Sequence, residues 1–198
     1  MPVQCSVVVN AGGKSSRMGR DKALARIGGR TMIEQIITQT GGLGDTIIIT
    51  NTPEQYAFLG LPLVPDILPD KGALGGLYTA IYAATQPYAL VLACDMPFVN
   101  RPLLEYALSL APDFEAVIPR LSGEAEPFRA IYGKACLEPI RRALDAGKMR
   151  IISFFPDIRL RWLEEDEVKQ FDPDLLTFMN CNTPEELEAV RRVWEVKR

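Results

Sequence analysis

Five short, mostly apolar runs, the first interrupted by Gln4 and Ser6, constrain this chain more than any other feature: Val3–Val9, Thr46–Thr50, Leu61–Val64, Tyr88–Ala93 and Ala116–Ile118. Runs of this length without sustained polar alternation are the mark of strands covered on both faces. Between them lie helical patterns at Thr31–Thr40, Leu74–Thr85 and Pro102–Leu110. Thr31 and Asn100 read as N-caps, Glu34 completes a capping box with Thr31, and Pro102 falls in a first turn. Alternation of strand and helix predicts an α/β fold, a Rossmann-like, doubly wound, mainly parallel sheet. Ligands of such sheets sit beyond the carboxyl ends of the strands, where strand order reverses.

The residues at those ends are informative. The first strand runs into Asn10-Ala11-Gly12-Gly13, the second ends at Asn51, the third at Asp66 and the fourth at Cys94-Asp95-Met96-Pro97. Past the first strand, Lys14, Arg17, Arg20 and Lys22 crowd around Gly12, Gly13 and Gly19. Glycines without a Cβ let backbone N–H groups approach an anion closely, and several such groups form a concavity for it. Arg17 offers a planar fork to phosphate oxygens and Lys22 a compact charge. The spacing fits neither the Walker pattern, since Gly13 and Gly19 are too far apart and Arg20 follows Gly19, nor the dinucleotide Gly-x-Gly-x-x-Gly. A third kind of strand-loop phosphate site is the expectation.

Asp95 follows apolar residues and is held by Pro97 in a tight exit turn. A desolvated carboxylate needs a cation or donors, and Mg²⁺ shared with substrate phosphates suits it; a helix-capping role is the alternative. The stretch Gly72-Ala73-Leu74-Gly75-Gly76 precedes a helix facing the same cleft and reads either as a flexible turn or as a base contact, with Gly75 the candidate. Asn180 and Asn182 alternate along an extended segment, so their amides share one side. Arg129 reads as a surface residue within reach of a second substrate. Thr183, Pro184 and Glu186 open a final helix running to about Val196. Between Leu121 and Gln170 the pattern is weaker: Pro127–Tyr132 and Arg159–Glu164 read as strands, Lys134–Ala146 as a helix, and Glu164–Glu167 as an acidic solvated turn.

Composition narrows the chemistry. Among 198 residues there is no histidine, which removes Ser-His-Asp and Cys-His triads and His-based metal sites. A net charge of −3 argues against a broad nucleic-acid surface. No run reaches the roughly 18 apolar residues of a membrane span. The four scattered cysteines form no Cys-x-x-Cys pair and read as reduced thiols, so the expected location is cytoplasmic.

Ala11-Gly12-Gly13, Arg17-Met18-Gly19 and Asp21-Lys22 resemble the signature that opens nucleotidyltransferases of the molybdenum cofactor guanylyltransferase family. Asn51, Pro65-Asp66, the Gly-x-Leu-x-Gly stretch at Gly72–Gly76, Cys94-Asp95-Met96-Pro97 and Asn180-x-Asn182-Thr183-Pro184 resemble that family's elements in the same order. The resemblance implies that Asn10, Ala11 and Gly12 line a GTP base pocket, that Lys22 lies on the phosphates, that Asn51 and Asp66 contact the nucleoside, that Asp95 holds Mg²⁺ and that Asn180 and Asn182 lie on the pterin side. Asn10 stands where the family commonly has Leu, and Ala73 where it has Pro. The implied reaction is transfer of GMP from GTP to molybdopterin by a single domain spanning 1–198, with residues 1–120 serving the nucleotide and 121–198 the second substrate. Molybdoenzymes or their chaperones are implied partners. A cytidylyltransferase or other small-molecule nucleotidyltransferase, and a non-catalytic cofactor-delivery protein, are the alternatives.

Overall fold

The computed structural model describes residues 3–11 and 22–197. Its first strand, β1 (Cys5–Asn10), is buried along its length because its side chains feed two cores: Val8 points to one face of the sheet, Val7 and Val9 to the other. A small antiparallel hairpin follows, β2 (Arg26–Ile27) and β3 (Arg30–Thr31), turning at Gly28 and Gly29, both at positive φ. Helix α1 (Met32–Thr40) starts with the anticipated capping box of Thr31 and Glu34. Then come β4 (Asp45–Ile49), β5 (Leu63–Val64), α2 (Gly72–Ala83), β6 (Tyr88–Ala93) and α3 (Arg101–Leu110), the last capped by the Asn100 side chain, which accepts from Leu103 N–H at 3.0 Å.

The remaining elements are β7 (Ala116–Leu121), β8 (Glu124–Ala125), β9 (Arg129–Gly133), α4 (Leu137–Asp145), β10 (Leu160–Glu164), α5 (Glu165–Lys169) and α6 (Pro184–Val196). The sheet order is β10-β7-β9-β6-β1-β4-β5, with β8 paired to β7. Pairing is parallel between β1 and both β4 and β6, between β4 and β5, and between β7 and β10. The sheet is thus mixed and mostly parallel.

Strand β9 departs from a purely parallel sheet. Ser122 and Gly123, both at positive φ, join β7 to β8 with Leu121 paired to Glu124, the geometry of a tight two-residue hairpin. A connection this short forces an antiparallel return. After an interruption at 126–128 the returning chain resumes as β9, antiparallel to both β7 and β6. Its register sets Arg129 opposite Leu92, near the end of β6.

One core lies under α2 and α4, the other under α1 and α3. A smaller cluster of Ile27, Met32, Phe98, Cys181 and Val190 seats α6 against the hairpin, with Trp194 on Phe98. The segment Glu164–Glu167, read from sequence as a solvated turn, instead ends β10 and begins α5. Glu164 pairs with Arg120, Glu165 with Lys169, and Glu167 with both Arg161 and the Tyr106 hydroxyl. Cys5, Cys136 and Cys181 are buried and Cys94 is half-buried. Among the described residues no helix is long and apolar enough to cross a membrane.

Candidate active site

Because β4 lies on one side of β1 and β6 on the other, strand order reverses at β1, and a crevice opens above the carboxyl ends of these strands. There the structure has a cleft of about 820 Å³. Asn10 and Ala11 come to it from β1, Asn51 from beyond β4, and Asp95 from beyond β6. Asp66, Lys22 and Asn180 line it as well, whereas Asn182 and Gly75, also anticipated from sequence, do not. Arg17, Gly12 and Gly13 lie outside the described residues.

The two ends of the chain meet at this cleft. Lys22 opens a single 3₁₀ turn, and its Nζ donates to Asn182 Oδ1 at 2.7 Å. Asn182 is held by the helix it precedes, its N–H donating to Glu186, whose carboxylate also takes Thr183 N–H. Between the two asparagines, Cys181 turns its side chain into the small cluster below and donates its N–H to the Asp95 carbonyl at 2.9 Å.

Asp95 is half-buried, and burial pushes its carboxyl above the usual range against the opposing pull of Lys22 and Arg129. It caps no helix: Asn100 fills that role for α3. Among the described residues no group of three or more His, Cys, Asp or Glu could enclose a metal. A single carboxylate at an open cleft suits Mg²⁺, which retains waters and takes one or two carboxylates together with substrate phosphate oxygens.

On the opposite wall, Asp66 is fixed through one oxygen, which accepts from Thr79 Oγ1 at 2.7 Å and Leu68 N–H at 3.0 Å. The Asn51 side-chain oxygen accepts Asp66 N–H at 2.9 Å, tying the two nucleoside candidates together.

Two expectations change. The glycines at 75 and 76 do not precede α2 but lie in its first turns, since the helix starts at Gly72. Gly75 packs away from the cleft, under Leu68, whereas Gly76 lines it and makes room for the Asn10 amide, which a Cβ there would approach to 3.1 Å. Arg129 is a core residue, 2% exposed, because alternation along β9 turns it to the same face as Ile131. Its Nη2 donates to the Met96 carbonyl at 2.6 Å. Asp70 and Phe128, not singled out from sequence, also line the cleft. Asp70 holds positive φ in the turn before α2, a conformation that aspartate tolerates better than most residues.

Residues 7–161 match the family described as MobA-like NTP transferase domain. A probable molybdenum cofactor guanylyltransferase of Pelotomaculum thermopropionicum is 32% identical over 197 residues, covering 99% of this chain and 96% of its own. A molybdenum cofactor guanylyltransferase of Desulfosudis oleivorans is 35% identical over 184 residues, covering 91% of each. Among solved structures, the molybdopterin-guanine dinucleotide biosynthesis protein A of Archaeoglobus fulgidus superposes with a TM-score of 0.82 over 96% of this chain and 99% of that one. At 23% identity that likeness speaks for the fold.

Proposed function

The chain belongs to the MobA-like NTP transferase family and is a nucleotidyltransferase, and from that premise we propose that it transfers GMP from GTP to the terminal phosphate of molybdopterin, with a divalent cation, Mg²⁺, at Asp95. The observation that carries this reading is the meeting of Lys22, Asp95 and the Asn180–Asn182 segment at one cleft, joined by the Lys22–Asn182 hydrogen bond.

An oxygen of the acceptor phosphate monoester attacks the α-phosphorus of GTP. A new P–O bond forms, the bond to the β-phosphate oxygen breaks, and diphosphate leaves. The acceptor is already ionised near neutral pH, its second pKa being about 6, so no side chain has to remove a proton. Catalysis then consists of alignment and charge neutralisation.

Lys22 and Arg17 bind the triphosphate, Asn10, Ala11, Gly12 and Gly13 surround the nucleotide, and Asn51 and Asp66 hold the nucleoside. Gly76 replaces Gly75 as the contact that lets the base approach. Asn180 and Asn182 orient the pterin phosphate. Asp95 would hold Mg²⁺, which would supply neutralisation of the charge developing on the leaving diphosphate. Residues 1–120 serve chiefly the nucleotide and 121–198 the acceptor, and molybdoenzymes or their chaperones receive the product.

The test is diphosphate release by the purified protein with molybdopterin and Mg²⁺, supplied in turn with GTP, CTP, ATP and UTP. Release with GTP alone is the expected result. Release with CTP alone would move the chain to a cytidylyltransferase, and none with any nucleotide would refute the reaction.

A further inference from the structure

We propose that Arg129 is a positioning residue for the candidate metal site, an inference that rests on the reading of Asp95 as metal ligand. Its guanidinium holds the Asp95–Met96 turn from beneath.

The guanidinium is expensive where it is. It is 2% exposed, and Nε and Nη1 have no hydrogen-bond partner among the described residues. Burying a cation with donors unsatisfied opposes folding, and an apolar residue of similar volume would pack this position at no such cost. Filling the core therefore does not explain an arginine here. What the arginine supplies is one directed bond and one charge.

The bond goes to the Met96 carbonyl at 2.6 Å. The neighbouring Asp95 carbonyl is taken by Cys181 N–H at 2.9 Å. Just upstream, Ala93 N–H donates to Phe128 O at 2.9 Å and Cys94 N–H to Asn10 O at 3.2 Å. The exit from β6 is thus pinned residue by residue from 93 to 96, by β9, by β1 and by the segment before α6. Arg129 is the only side chain in that series; the other three partners are backbone groups.

The charge is placed to match. Burial opposes it and pushes the guanidinium down to about 10, while Asp95, then Glu126, then Asp172 favour it. The Asp172 carboxylate is occupied by Thr177 N–H at 2.8 Å. Arg129 therefore backs Asp95 from the core side, as Lys22 faces it from the cleft. A carboxylate aimed in this way is ready to bind a cation without first reorganising its loop, and supporting residues behind metal ligands commonly affect affinity about 10- to 100-fold.

The experiment measures Mn²⁺ binding by electron paramagnetic resonance in the presence of α,β-methylene GTP, so that no turnover is needed. It compares the parent, Arg129→Met, Arg129→Lys and Asp95→Asn, with thermal unfolding as the control for folding. Folded Arg129→Met is expected to bind Mn²⁺ about 10-fold more weakly or worse. Arg129→Lys, retaining the charge and one donor without the fork, is expected to recover part of the loss.

Unchanged Mn²⁺ affinity in folded Arg129→Met, with affinity lost in Asp95→Asn, overturns the role of Arg129 alone. Unchanged affinity in Asp95→Asn overturns the metal reading and this inference with it. Should Arg129→Met not fold, Arg129→Lys decides: binding weaker than the parent supports the role, and binding equal to it overturns the role.

Discussion

Lys22 Nζ donates to Asn182 Oδ1 at 2.7 Å, a contact between residues 160 apart in sequence that ties the 3₁₀ turn opened by Lys22 to the segment before the last helix. If Lys22 also serves the triphosphate, the two residues act as one unit. A charge-assisted hydrogen bond contributes about 1.5–3 kcal/mol. Lys22→Ala is therefore expected to lower kcat/KM by about 10- to 150-fold. Asn182→Ala should cost less, and the double variant should fall short of the sum by about 0.5–3 kcal/mol. A double-mutant cycle on kcat/KM measures this, and strict additivity would mean that the bond has no part in turnover.

Asp95→Asn separates function from stability. Loss of the carboxylate should reduce turnover by about 100-fold or more, the scale of removing one electrostatic element from such a site. Stability moves the other way. Burial raises the folded-state pKa of Asp95 above its unfolded value, so the native state holds the proton more tightly. Its contribution is fully present below the unfolded pKa and is lost as pH rises through the folded pKa. Asparagine never ionises and escapes that loss, so the Tm of Asp95→Asn at pH 7 should equal or exceed that of the parent without metal. A Tm several degrees lower would show that the ionised carboxylate has a structural role.

Adjacent glycines in α2 are expected to fail differently. A Cβ on Gly75 would lie 2.6 Å from Lys71 Cβ and 2.9 Å from the Leu68 carbonyl, so backbone must shift. Gly75→Ala should destabilise by about 1–3 kcal/mol in urea unfolding. At Gly76 the nearest atom is Asn10 Nδ2 at 3.1 Å, the end of a side chain. There the gain in helix propensity, up to about 1 kcal/mol, offsets the crowding. Gly76→Ala should keep its urea midpoint and raise KM for GTP. Equal loss of stability in both variants would remove the distinction.

What could be read from sequence divides along physical lines. The apolar runs, the caps at Thr31, Asn100 and Thr183, and the polar residues ending strands are local signals, and local periodicity was enough to bring Asn10, Asn51, Asp66 and Asp95 to one cleft. Residues whose neighbours are distant in sequence escaped. Arg129 stands in an unremarkable charged stretch, and its burial follows only from β9 entering the sheet between β6 and β7. The choice between Gly75 and Gly76 depends on helix phase, which turned on whether α2 began at Gly72 or Leu74. The acidic run Glu164–Glu167 read as a turn because the pairing that makes Glu164 the end of β10, opposite Arg120 on β7, is distant in sequence; Glu164 and Asp166 are exposed, as expected.

The capping box that starts α1 provides a test at acid pH. Glu34 Oε2 accepts Thr31 N–H at 2.8 Å and the Thr31 hydroxyl at 2.7 Å, while Thr31 Oγ1 accepts Glu34 N–H at 3.3 Å. The Thr31 bonds hold the Glu34 carboxyl below its ordinary range. A lowered folded pKa places the stabilisation above the unfolded pKa and removes it as pH falls through the folded one. Glu34→Gln keeps a side-chain oxygen to accept Thr31 N–H but loses the charge, so it should be less stable than the parent by about 0.3–1 kcal/mol at pH 7, the scale of a charge in a helix's first turn. The gap should shrink as the parent's own carboxyl protonates. Because Thr31 also ends the hairpin that follows Lys22, loosening this cap should raise KM for GTP alongside the loss of stability. Urea unfolding at pH 7 and at about pH 3.5, below the ordinary pKa of a glutamate, measures the first effect. A gap of equal size at both would show that the glutamate's charge contributes nothing to the cap.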